Sequence, residues 1–142
     1  MARQHIGRIA LLVKDYDAAK AWYCDVLGFD LVEDEPMPNG KRWILVAPPG
    51  STETSILLAQ AATSEQSTSV GRQTGGLVFL FLHTEDLWAD FMSMKEKGVH
   101  FCEEPREEDY GTVAVFEDLY GNRWDLLQPK AGPVEPPQGN PK

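Results

Sequence analysis

Cysteine, basic charge and long apolar runs are all scarce in this chain of 142 residues, and each shortage narrows what it can do. Its two cysteines, Cys24 and Cys102, have neither metal-ligand spacing nor a disulfide-rich context, so reduced thiols and a cytoplasmic setting are expected. Thirteen Lys and Arg against 22 Asp and Glu give a net charge of −9, and the basic residues are scattered rather than gathered in a stripe. Nucleic acid is therefore not an expected partner. The acids fall mainly in turns and helix starts, where solvation and the helix dipole account for them. No apolar run approaches the roughly 20 residues of a membrane span, so a soluble protein without a membrane partner is expected. No Gly-rich phosphate loop follows a strand, and no Ser sits at an elbow turn beside a His. The opening MARQHIGRIALLVKD is broken by Arg8 and followed by no small-residue cleavage site, so it reads as a first strand.

What the chain does have is a repeat. Residues 15–36 read DYDAAKAWYCDVLGFDLVEDEP, and residues 85–105 read EDLWADFMSMKEKGVHFCEEP. Each copy carries an acidic helix start, an amphipathic helix, a Gly stop, a short strand and an acidic-Pro exit. The length suits about one domain, so two copies imply a pseudo-symmetric domain whose equivalent inner faces share a cleft.

The first copy predicts a strand over 5–13, a helix from an Asp15 N-cap to about Leu27, a stop at Gly28, and strands over 29–33, 42–47 and 54–59. Turns at 38–40 and 48–50 separate these strands. The second copy predicts a strand over 77–83, a helix over 85–97, Gly98 as its stop, and strands over 99–103, 112–116 and 123–127. Ala18, Ala19, Trp22, Tyr23, Val26 and Leu27 recur at helical spacing, which makes Trp22 and Tyr23 core residues. Residues 61–76 are polar and read as a linker or lid, with GRQTGG as flexible peptide. The Pro-rich stretch 129–142 lacks an apolar period and is expected to be disordered. Glu103, Glu104, Glu107 and Glu108 read as solvated acid.

Two βαβββ units, the first containing helix-Leu27-Gly28-Phe29 and the second closing with Phe116-Glu117-Asp118-x-x-Gly121-Asn122-x-x-Asp125-Leu126, resemble the vicinal oxygen chelate superfamily. That superfamily includes glyoxalase I, extradiol dioxygenases and the fosfomycin- and bleomycin-resistance proteins. The likeness covers roughly residues 4–128 and implies an α+β fold: tandem units over about 4–60 and 77–128 of one domain, 1–128, forming a half-open mixed β-sheet cleft with helices outside. Fold alone does not assign chemistry.

In metal-using members of that superfamily, His, Gln or Glu side chains on the first and last strands of each unit hold a divalent ion. The equivalent positions here are Arg8, Leu57, Phe79 and Asp125. Arginine offers no lone pair, and Leu and Phe cannot ligate. One carboxylate does not make a metal site, so no metal ligand and no cofactor are expected. His83, His5 or Gln60 would have to relocate to rebuild one, and a single bulge decides which of them turns inward.

In this register Arg8, Ala10 and Leu12 face the cleft from one unit, and Phe79, Phe81, His83, Arg123 and Asp125 from the other. With Leu57 they make a lining of apolar walls and a few ionisable groups, as small-molecule pockets have. Arg8 and Asp125 are expected to pair, either to support a ligand or as structural filling of a redundant cavity. His83 is a candidate general base or an ordinary polar residue at a strand end. Trp43 is assigned to neither pocket nor core, whereas Trp124 and Leu126 should face the helix. The resemblance thus implies a homodimeric, metal-independent small-molecule-binding protein of the bleomycin-resistance branch. The alternatives are a divalent-metal lyase, isomerase or dioxygenase, lactoylglutathione lyase-like, with relocated ligands for Ni, Zn, Mn or Fe, and an accessory module with a vestigial cavity.

Overall fold

The computed structural model describes residues 1–130. They divide into two compact units, the first ending at Gln73 and the second beginning at Thr74. The expected disordered tail lies outside the described residues from 131 onward, although Pro129 still belongs to a strand. Among the described residues no helix is long and apolar enough to cross a membrane.

Unit one comprises β1 (Arg8–Val13), α1 (Tyr16–Ala21), β2 (Asp30–Pro36), β3 (Arg42–Ala47), β4 (Ser55–Gln60) and α2 (Ser64–Ser69). The Asp15 carboxylate accepts from the Ala18 amide at 2.7 Å and caps α1 as expected. The helical run then widens into a π turn over Trp22–Val26, with the Leu27 amide donating to the Trp22 carbonyl at 2.9 Å. Gly28, at φ 88°, takes the left-handed conformation that ends it. Tyr23 is fully buried while Trp22 is half-buried, so only the first is core in the full sense.

The sheet order is β1-β4-β3-β2, with β1 parallel to β4 and the other pairs antiparallel. Strand β2 runs three residues past its expected end at Glu33. Asp34 explains the extension: its carboxylate accepts from Lys20 Nζ at 2.7 Å and from Arg42 Nη2 at 2.9 Å, tying α1, β2 and β3 together. Those two cations hold the Asp34 carboxyl below its ordinary value.

Unit two comprises β5 (Val78–His83), α3 (Leu87–Glu96), β6 (His100–Phe101), β7 (Arg106–Glu108), β8 (Gly111–Glu117) and β9 (Arg123–Pro129). Its sheet runs β5-β9-β8-β6, with β7 also on β8, and β5 parallel to β9. Both sheets are mixed and open, in an α+β arrangement. The helix predicted from 85 begins at Leu87, where the Asp86 carboxylate caps it by accepting from the Ala89 amide at 3.1 Å. Gly111, at φ 153°, begins β8 where a Cβ would collide with the Gln128 carbonyl.

Two segments differ from expectation. The polar stretch 61–76 is not featureless: Thr63 caps α2 by accepting from the Gln66 amide at 3.1 Å. The Gln73 amide side chain also bonds β1, donating to the Ala10 carbonyl at 2.9 Å and accepting from the Leu12 amide at 3.2 Å. It thereby satisfies the free edge of that strand as a neighbouring strand would. The acidic stretch after Cys102 is likewise not merely solvated. Residues 106–108 pair with β8, and Arg106 binds both Glu103 and Glu108.

In each unit one sheet face packs on its helix. Ile9, Leu11 and Val13 point that way in unit one, and Leu11 and Val13 are fully buried. In unit two Phe91 of α3 meets Phe101, which meets Phe116, which stacks on Trp124. Trp124 and Leu126 therefore face the helix as their alternation demands, each 2% exposed or less. Burial of such a side chain contributes about 1.5–3 kcal/mol.

Candidate functional site

The face opposite the helix is the open one, and the strand registers decide what lines it. In unit one, Ala10 stands opposite Leu57 and Leu12 opposite Ala59, while Leu45 pairs with Leu57 from the other side. Paired residues share a face, so Arg8, Ala10, Leu12, Leu57 and Trp43 belong to one surface. The Arg8 guanidinium lies 5.5 Å from the Trp43 ring centroid, a cation–π contact that gives this tryptophan its place. A pocket of about 450 Å³ includes Leu12, Trp43, Leu57 and Gln60 in its lining. Gln60 pairs with Val13 and donates its amide to the Lys14 carbonyl at 3.3 Å, so it is engaged at the rim. His5 is exposed and precedes β1.

Unit two carries a bulge that rearranges the expected lining. Val78 stands opposite Arg123, yet Leu80 stands opposite Trp124, so Phe79 is an extra residue in the β5–β9 ladder. Its ring meets Trp124 edge-on at 5.9 Å, on the side where Trp124 packs toward the helix. Phe79 thus joins the core cluster and does not stand beside Asp125. Phe81 does: it is directly opposite Asp125 and 53% exposed. A pocket of about 520 Å³ opens on this face, lined by Leu77, Val78, Phe81, Val115, Cys102, Arg106 and Arg123, among others. His83 is exposed at the strand end, opposite Leu127, and outside that lining.

Asp125 lies in the sheet between Phe81 and Val115, its ladder partners, and is itself outside the pocket lining. It is 2% exposed, and its Oδ1 has no hydrogen-bond partner. Burial pushes its carboxyl up to about 6, against a smaller opposing pull from the Arg106 guanidinium. A buried carboxylate oxygen without a partner is an acceptor that a neighbouring donor would satisfy. The two residues expected to pair, Arg8 and Asp125, belong to different units, and Arg8 has Trp43 in its own.

The residues at the superfamily's chelating positions do not fit a metal ion. Arg8 is a cation, Leu57 is apolar, and the bulge turns Phe79 onto Trp124, leaving the single carboxylate of Asp125. Sequence reasoning missed Val78, Arg106 and Val115 as pocket residues. Arg106 left a signal, since it is the lone cation in the acidic run Glu-Glu-Pro-Arg-Glu-Glu-Asp and had to be bound by its neighbours.

Comparison with known proteins places this geometry among relatives. The model of the Glyoxalase/Bleomycin resistance protein/Dioxygenase superfamily matches residues 5–126. A protein of unassigned function from Shewanella frigidimarina (strain NCIMB 400) is 54% identical over 127 residues, which is 89% of this chain and 94% of that protein. TnmS3, an antibiotic binding protein from Streptomyces sp. CB03234, has a crystal structure similar at TM-score 0.76 and 35% identity, covering 92% of this chain and 99% of that one. A probable lactoylglutathione lyase of Synechocystis sp. (strain ATCC 27184 / PCC 6803 / Kazusa) is 25% identical over 118 residues, 82% of this chain and 88% of that protein.

Proposed function

The chain belongs to the Glyoxalase/Bleomycin resistance protein/Dioxygenase superfamily, and from that premise we propose that it is a small-molecule-binding protein of the bleomycin-resistance kind that takes its ligand without a metal. The carrying observation is the pocket on the open face of the unit-two sheet, lined by Phe81 and Val115, whose shared ladder partner Asp125 is a buried acceptor with an unpartnered Oδ1. Leu77, Val78, Phe81 and Val115 supply the apolar lining of the pocket on that face, and its charged residues are Arg123, Glu103 and an Arg106 that Glu103 and Glu108 already engage. This combination suits an apolar organic molecule that carries a hydroxyl or amine donor. Similarity to an antibiotic binding protein at 35% identity supports an antibiotic-like ligand.

The protein acts in the cytoplasm as a homodimer. Strand β2 forms a sheet edge and leaves Leu31, Val32 and nearby Met37 more than 40% exposed, apolar surface that a second copy would cover. Light scattering on the purified protein tests the dimer, and a monomer at micromolar concentration would overturn it.

Calorimetric titration of chelator-treated protein with a panel of apolar antibiotics bearing hydroxyl or amine groups tests the ligand reading. Saturable binding that survives chelation, and that weakens at least about tenfold in Asp125→Ala, is expected; about 1.4 kcal/mol for one lost charge-assisted hydrogen bond gives that factor. The likeness to a probable lactoylglutathione lyase favours a second reading, a divalent-metal enzyme. Metal-dependent conversion of the hemithioacetal of glutathione and methylglyoxal would establish that reading and overturn the first.

A further inference from the structure

At the outer edge of the unit-two sheet, three side chains of mixed donor chemistry converge. His100 of β6 stands directly opposite Glu117 of β8. Cys102 lies two residues further along and falls on the same side of the chain as His100. The imidazole nitrogen, the thiol sulfur and a carboxylate oxygen all lie within 4.8 Å of one another. We propose that His100, Cys102 and Glu117 form a binding site for a borderline divalent cation, Zn(II) above all, separate from the four positions at which relatives chelate a metal.

The donor set selects this ion class. Imidazole and thiolate favour Zn(II) and Co(II) over Mg(II) or Ca(II), which want oxygen alone. Zn–S and Zn–O bonds of about 2.3 and 2.1 Å in a tetrahedron put sulfur and oxygen about 3.6 Å apart. Cys102 Sγ is 3.9 Å from Glu117 Oε2, so those two donors are almost at that spacing already.

The backbone beneath them is fixed. The Cys102 amide donates to the Val115 carbonyl at 2.8 Å, and His100 and Glu117 are held by the β6–β8 ladder. His100 and Cys102 are exposed, so their side chains can close on an ion without disturbing the core. Binding would send the Cys102 proton to solvent and leave thiolate, carboxylate and neutral imidazole around the dication, a set of zero net charge with water in the fourth position. Cys102 also lines the unit-two pocket, so the site borders it, and titration with metal alone reads the ion independently of any organic ligand.

Full-length protein made without a His tag is titrated with Zn(II) by calorimetry, and with Co(II) by absorbance. One ion per chain is expected, together with an intense near-ultraviolet thiolate-to-cobalt band. Cys102→Ser should abolish the band, and His100→Ala and Glu117→Gln should each weaken Zn(II) binding at least about tenfold. Cys24→Ser should leave band and affinity unchanged, since Cys24 lies on the unit-one helix. Failure to bind, a band that survives Cys102→Ser, or binding untouched by His100→Ala would each overturn the site. The three variants alter side chains at the sheet edge, and coincident circular dichroism spectra would confirm that they fold.

Discussion

Asp125→Asn isolates the free-energy cost of a buried charge. Asp125 is 2% exposed, its Oδ1 is unpaired, and burial raises its carboxyl from 3.8 to about 6. At about 1.4 kcal/mol for each tenfold change in proton affinity, ionised Asp125 makes the folded state about 3 kcal/mol less stable than protonated Asp125 does. The folded value lies above the unfolded one, so the folded protein holds the extra proton between them. The favourable contribution is complete below about pH 4 and is lost as pH rises through about 6. Asparagine cannot titrate and contributes only a constant offset. Urea unfolding in steps from pH 4 to 8 should therefore show the variant gaining about 3 kcal/mol on the parent up to about pH 7, then no further change. A difference that stays flat across the range, or that falls as pH rises, would refute the claim that burial governs this carboxyl.

Phe79→Ala and Phe81→Ala should have crossed effects. The first removes a ring packed on Trp124, costing about 2–3 kcal/mol in chemical unfolding while sparing ligand affinity; the second alters an exposed wall, changing stability by no more than about 0.5 kcal/mol but weakening binding. Gln73→Ala should cost about 1–2 kcal/mol and accelerate hydrogen exchange at the Leu12 amide, since that amide loses its acceptor. Unchanged exchange would show that another group takes the place of Gln73. Asp34→Asn should lower stability by about 1 kcal/mol or less at neutral pH, and the loss should fade as pH falls through the carboxylate range, because the parent then loses its own charge contact to Lys20 and Arg42. A thermal-shift series against pH checks it.

Much of the scaffold was legible because its signals are local. Asp15, Gly28 and Gly98 are single residues that mark helix ends, and β3 occupies the predicted 42–47 around its apolar run Trp43–Val46. Strand β7 was hidden because its pairing depends on Arg106 engaging two flanking glutamates, which no period reveals. Helix α2 was hidden for a related reason. Its sequence, Ser-Glu-Gln-Ser-Thr-Ser, has no apolar stripe and is held by capping at Thr63. The candidate site was legible only in part. Arg8, Leu57 and Asp125 fall on open faces, as alternation along β1, β4 and β9 requires.

Phe79 shows why spacing and orientation are separate questions. Counted from the observed N-cap at Asp86, Phe79 lies seven residues back, just as Arg8 lies seven residues before Asp15. The duplication is therefore kept in chain length, and Phe79 is a sound equivalent of Arg8. One inserted residue in the β5–β9 ladder nevertheless rotates its side chain onto Trp124 and brings Val78 to the pocket face instead. A strand period of two makes such a slip exchange one face for the other. Because the slip ends at Leu80, Phe81 and Asp125 stay paired across the open face, and the orphaned carboxylate keeps an aromatic wall beside it. A phenylalanine at this chelating position cannot ligate in either orientation, and the bulge that turns it onto Trp124 leaves Val78 and Phe81 lining the pocket, which is the physical ground for preferring binding to metal chemistry at these four positions.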